Sequence, residues 1–175
     1  MRVFQQTGPE EWGSYPGSST PVSPLLALVG FVGLCLLVGA SADALVASTV
    51  HTWYPSLTRP PGTPPVWAFG PVWTGLSVMV GVAGWLVWRR CGAARPLRLW
   101  GWQLAANALW TPAFFGLHSP PLGLAVMAVL LVLIGLTIHS FFGLRRAAVW
   151  LMLPYLGWTI FTAYLNAGFW WLNPI

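Results

Sequence analysis

The chain has 175 residues, 57% of them hydrophobic and only 6% charged, and its net charge of +5 comes from eight arginines, three acids and no lysine. A soluble domain carries about 25% charged residues, so this composition excludes one and points to a single-domain membrane protein. The basic balance does not form a nucleic-acid-binding face: Arg89, Arg90, Arg95, Arg98, Arg145 and Arg146 fall in two short clusters between apolar runs, where they read as topology signals.

In chain order, residues 1–24 are polar and rich in Gly, Pro and Ser, with Glu10 and Glu11, which is the composition of a disordered tail. They fit neither a secretory signal, which has a basic start and a short apolar stretch, nor an Arg-rich, acid-poor transit peptide. Apolar runs follow at 25–50, 65–88, 97–117, 122–142 and 147–172. Each is long enough for a bilayer crossing, which takes about 20 residues. The runs are separated by short breaks of helix-stopping character, namely the Pro-rich stretch before Val66, then "RRCGAARPLR", "HSPP" and "GLRR". The expected fold is therefore an all-α membrane protein, a bundle of five transmembrane helices over 25–175 with the Pro-rich first loop as a lid. A β-barrel would need many alternating segments of about 10 residues, and these runs are continuous. With five spans, Arg2 and both clusters share one side and Arg59 stands alone on the other, so the positive-inside rule expects a cytoplasmic N-terminus and a C-terminus across the membrane.

The stretch "RPPGTPPVWAFGPVW", residues 59–73, denies helix to its first part through Pro60, Pro61, Pro64 and Pro65, and makes a stiff loop over the bundle mouth. Pro71 sits inside the second span and removes one helical hydrogen bond, so a kink is expected. Trp67 reads equally as an interfacial belt residue or as part of a site. On the third span Asn107, Trp110 and Phe114 recur at helical spacing, and on the fifth Tyr155, Trp158, Phe161, Thr162 and Leu165 do the same. Either stripe alone is ordinary helix packing, but together they favour a pocket. Aromatic walls with a few amides and hydroxyls suit a flat, greasy ligand, with tetrapyrroles and sterols both candidates.

Other chemistry finds little footing. Asp43 and His139 lie toward span ends, His51 and His118 are isolated, and Cys35 and Cys91 form no metal or disulfide pattern. No carboxylate pair, activated nucleophile or phosphate loop is present, so no catalytic residue and no metal ligand is expected.

The segments "WYPSLTRPPGTPPVWAFGPVW", "QLAANALWTPAFFGLHSP" and "PYLGWTIFTAYLN", in this order and spacing, resemble the translocator protein family, formerly the peripheral benzodiazepine receptor, whose bacterial members are tryptophan-rich sensory proteins (TspO/MBR). The resemblance covers about 25–173. It implies a five-helix bundle, often a homodimer, that acts as a receptor or sensor and binds porphyrins such as protoporphyrin IX, sterols in animal members and benzodiazepine-type drugs beneath the first loop. By motif match the ligand-binding residues would be Trp53, Trp67, Phe69 and Trp73, then Asn107, Trp110, Phe114 and Phe115, and then Trp158, Phe161 and Leu165. No covalent cofactor is implied.

Light-dependent porphyrin degradation and tetrapyrrole or sterol transport are the alternatives. Many family members carry Trp where this chain has Gly62, a residue tied to that photochemistry, whereas its companion Trp158 is retained. The animal sterol motif is broken here, with Ala167 and Trp171 in the places of Tyr and Arg after Leu165. "FFGLHSP" and the exclusive use of Arg look bacterial, so the expected location is a bacterial cell membrane, with outer and organellar membranes as alternatives. Pairs of small residues, Gly101 with Ala105 and Ser77 with Gly81, offer faces for a homodimer.

Overall fold

The computed structural model describes residues 23–174 except 48 and 50, with the side chains at 42, 43 and 45 also outside the description. The expected polar tail, 1–24, lies almost wholly outside the described residues. The described chain is all-helical: α1 (Pro24–Val46), α2 (Val66–Cys91), α3 (Arg95–Thr111), α4 (Pro120–Phe142) and α5 (Arg146–Leu172), with a 3₁₀ turn at Tyr54–Ser56 in the first loop. Four helices are long and apolar enough to cross a membrane, α1 through its segment Pro24–Ser41 together with α2, α4 and α5.

α3, with 17 residues, falls short as an α-helix and carries Arg95, Arg98, Gln103 and Asn107. It ends because Pro112 has no N–H to donate back along the helix. The chain instead widens into a π-helical turn, Pro112–Gly116, closed where the Leu117 N–H donates to the Pro112 carbonyl at 2.9 Å. The other ends are equally local in origin. Ser119 caps α4 by accepting from the Leu122 N–H at 3.4 Å, with Pro120 in the first turn. Gly92, at φ 61°, closes α2 in a conformation that disfavours a side chain.

The helices form a ring in the order α1, α2, α5, α4, α3, closing back on α1. Helices consecutive in the chain run antiparallel where the contacts register them: Trp85 Nε1 on α2 donates to the carbonyl of Pro24 at the start of α1, and Asn166 Nδ2 on α5 donates to the carbonyl of Pro120 at the start of α4. The core fills the arginine-bearing half with Val87, Ile134, Phe141 and Met152, all inaccessible, and continues along α4 through Leu130 and Met127. Trp100 from α3 enters this core and donates its indole N–H to the Val80 carbonyl at 3.0 Å. The outer faces remain apolar, with Leu25, Leu37, Val132, Trp150 and Ile160 exposed, as a lipid environment requires.

Candidate functional site

The half of the bundle nearer the first loop is not filled. A cavity of about 510 Å³ opens between the last turns of α1, the first turns of α2 and the end of α3. Trp67, Phe69 and Trp73 supply its α2 wall, Asn107 and Trp110 its α3 wall, and Phe115 of the π turn and Tyr54 of the first loop its roof. Thr74, Ser77, Asn107 and Thr111 give it a few polar atoms, and among the described residues no charged side chain lines it. A second, water-sized space, about 10 Å³, lies between Cys35, Ser77, Asn107 and Tyr155 at the inner end.

Local sequence explains how each wall is held. On α2, Trp67, Phe69 and Trp73 follow the prolines that start the helix, and Trp73 and Trp110 face each other at 6.5 Å with their planes 30° apart. Trp110 is fixed from behind, because its indole N–H donates to Asn166 Oδ1 at 3.1 Å, while Asn166 also donates to the Pro120 carbonyl at 2.6 Å. Asn166 is 1% exposed, so its two hydrogen bonds tie α3, α4 and α5 together at the level of the cavity. The π turn gives Phe114 and Phe115 different roles although their rings meet edge-on at 4.8 Å: Phe115 reaches the cavity, whereas Phe114 stacks on Trp110 at 5.8 Å.

The first loop forms a braced roof. Pro60, Pro61, Gly62 and Thr63 make a turn closed from the Thr63 N–H to the Pro60 carbonyl, with Pro at the second position and Gly62 at φ 81° in the third, as a type II turn requires. Asn173, just beyond α5, accepts from the Thr58 N–H at 2.8 Å and donates to the Thr58 carbonyl at 3.0 Å. The Tyr164 hydroxyl donates to the Pro61 carbonyl at 3.2 Å, and Pro60 fills the notch left by Gly168, where a Cβ would stand 2.6 Å from the proline ring. Burial raises the pKa of the Tyr54 phenol, and the nearby charge of Arg59 partly offsets that rise.

The residues singled out from the sequence divide into two layers. Trp67, Phe69, Trp73, Asn107, Trp110 and Phe115 line the cavity. Trp67 is also 75% exposed, so it serves the cavity with one edge and the surroundings with the other. Trp53, Phe114, Trp158, Phe161 and Leu165 are not in the lining. Trp53 packs on Phe114 and His118, and Leu165 is buried with Tyr54 and Phe169. Trp158 meets Phe69 edge-on at 6.0 Å from the far side, and its indole N–H is buried without a partner among the described residues. Sequence reasoning does not single out the contribution of α1, made by Leu36, Val38, Gly39 and Ala40, nor the positioning role of Asn166. Small aliphatic residues leave no periodic aromatic signal; the only hint of Asn166 is an amide within an apolar span.

A family model for the TspO/MBR family matches residues 31–172, which include all five helices apart from the first turns of α1. The chain belongs to the TspO/MBR family. Relatives are similar over nearly their full lengths. The tryptophan-rich protein TspO of Chlorobaculum tepidum is 36% identical, with 86% of this chain and 98% of that protein covered. The translocator protein of Bos taurus is 32% identical over 87% of this chain and 93% of its own length, and the tryptophan-rich sensory protein of Cereibacter sphaeroides is 35% identical over 78% and 84%. TspO/MBR membership and the apolar helices agree on an integral membrane protein. Among the described residues no group of His, Cys, Asp or Glu could hold a metal ion.

Proposed function

We propose that this protein is a five-span membrane receptor or sensor whose cavity takes a planar, largely apolar ligand of the porphyrin class, with protoporphyrin IX as its representative. The observation that carries the reading is the cavity itself: about 510 Å³, within the usual range for small-molecule sites, walled by four indole and benzene rings from α2 and α3 and roofed by Tyr54 and Phe115. Among the described residues its polar side chains are neutral amides and hydroxyls, which orient a ligand without demanding that it bury a charge. For the span count, α3 and its π turn together run over 95–116, roughly 33 Å at 1.5 Å per residue, which is enough to traverse a hydrocarbon core. Seating in a bacterial cell membrane with the arginine-bearing end in the cytoplasm, and assembly as a homodimer, belong to the same reading.

Photochemical breakdown of the ligand has weaker support. Phe69 supplies the cavity wall on the side of Trp158, so that indole does not itself reach the lining. Titration of detergent-solubilised protein with protoporphyrin IX, followed by porphyrin absorbance, tests the binding reading. Trp110→Ala is expected to weaken binding about tenfold by removing a wall, whereas Phe161→Ala, outside the lining, changes it less than about twofold. Equal losses in the two variants, or no binding by the unaltered protein, would remove the cavity from consideration.

A further inference from the structure

Charge is distributed very unevenly around the cavity. Arg89, Arg90, Arg95, Arg98, Arg145 and Arg146 stand at the ends of helices away from it, and among the described residues the lining carries no charged side chain. Arg59 alone belongs to the loop that roofs the cavity. It is exposed, and its guanidinium sits 5.4 Å from the centre of the Tyr54 ring, which is itself 5% exposed and part of the lining. That stacking holds a long, otherwise mobile side chain beside a residue of the cavity roof. The chain's acids, Glu10, Glu11 and Asp43, all fall outside the described side chains, so no carboxylate among the described residues faces Arg59.

A cation stacked on the roof residue of a slot whose described lining is uncharged and largely apolar sets a preference. An ionised carboxylate taken to the inner end would lose its hydration with only neutral groups such as those of Ser77, Asn107 and Tyr155 to replace it, which costs several kcal/mol. At the rim it keeps water on one side and gains a charge-assisted contact with a guanidinium that presents a planar fork of donors. We infer that Arg59 anchors a carboxylate of the ligand, so that the ligand lies with its apolar ring system inward and its acid groups at the rim, and the site selects anionic planar amphiphiles over their neutral counterparts. Tyr54 is the positioning residue that keeps the guanidinium in place. This inference rests on the reading of the cavity as a planar-ligand site.

The test compares protoporphyrin IX with its dimethyl ester, which has the same ring system and no charge, titrated into the full chain in nonionic detergent. The unaltered protein is expected to bind the acid about fivefold more tightly than the ester. Arg59→Gln should erase that difference by weakening the acid alone; the unchanged ester affinity then reports that the cavity is intact. Arg59→Lys should keep part of the preference. Equal affinity of the unaltered protein for the two forms, or an acid preference that survives in Arg59→Gln, would overturn the anchor while leaving the cavity reading in place. Failure of both forms to bind the unaltered protein would overturn the porphyrin reading, and the anchor with it.

Discussion

Toward the arginine-bearing end, Gly81 lies so close to α1 that a Cβ there would stand 2.7 Å from the Val32 Cα, and a Cβ at Gly84 would meet the Trp100 indole at the same separation; toward the first loop, Gly70 and Gly75 have nothing within 4 Å. Glycine on one helix thus serves two opposite ends. In the first half it lets backbones touch and a tryptophan lie flat across the helix, as apolar solvent requires when packing rather than hydrophobic exclusion holds helices together. In the second half it leaves room unfilled. Gly39 and Ser77, where a Cβ would be 3.6 Å from the hydroxyl, mark the level at which α1 and α2 part. The cavity exists because one end of this helix pair is pinned and the other is not.

The largest expected effect falls on the pin. Gly81→Leu must drive α1 away from α2, because the obstructing atoms are backbone and cannot rotate aside; a loss of about 3 kcal/mol or more is expected. Melting in detergent and recovery of monodisperse protein would register it. Gly70→Ala fills only open space and should stay within about 1 kcal/mol of the unaltered protein, helix propensity favouring the alanine. Comparable damage from both substitutions would break the contrast between the two halves.

Two buried amides sharpen the same contrast. Asn166 beside the cavity is bonded to Trp110 and Pro120, whereas neither amide atom of Gln103, deeper on α3 and 0% exposed, has a partner among the described residues. Asn166→Ala should cost about 1–2 kcal/mol and also weaken porphyrin binding, since it frees the Trp110 ring without touching the lining. Gln103→Leu, similar in size, should leave stability unchanged or raise the melting temperature, because it removes the cost of burying an unpaired amide. A marked drop for Gln103→Leu would instead reveal that this amide is satisfied in the membrane.

These residues also show where sequence reasoning runs short. Apolar runs locate the helices within a few residues because length and hydropathy are local properties. The first run extends to residue 50, yet α1 ends at Val46, where the Thr49 carbonyl gathers the N–H groups of Thr52, Trp53 and Tyr54 into the loop. Pro112 is visible in the sequence, but the π turn it produces is not, because widening rather than breaking the helix depends on what surrounds it. Helical spacing identifies the aromatic face of α5 without saying which neighbour it meets: Trp158 rests behind Phe69 and Leu165 behind Tyr54. Spacing fixes a direction from one helix axis, whereas a cavity is a relation among several axes. Among the described residues, the part of the site built from α1 has no distinctive chemical signature, only the aliphatic and small side chains of Leu36, Val38, Gly39, Ala40 and Val46.

The smallest expected effect concerns the roof rather than the bundle. Asn173→Ala removes both hydrogen bonds to the Thr58 backbone but leaves Tyr164 on Pro61 and Pro60 in the Gly168 notch, so the loop should loosen without detaching. Each exposed hydrogen bond contributes on the order of 1 kcal/mol or less, so melting should barely move. Bound porphyrin should nonetheless dissociate about threefold faster in stopped-flow displacement, provided the roof must open for the ligand to leave. An unchanged rate would place the exit elsewhere. Among the described residues a way out also lies between the parted ends of α1 and α2, where Ala40 and Thr74 border the cavity and are themselves exposed. The Asn173→Ala rate therefore decides whether the unpinned half is a closed chamber with a hinged cover or a cleft open to the bilayer along its side.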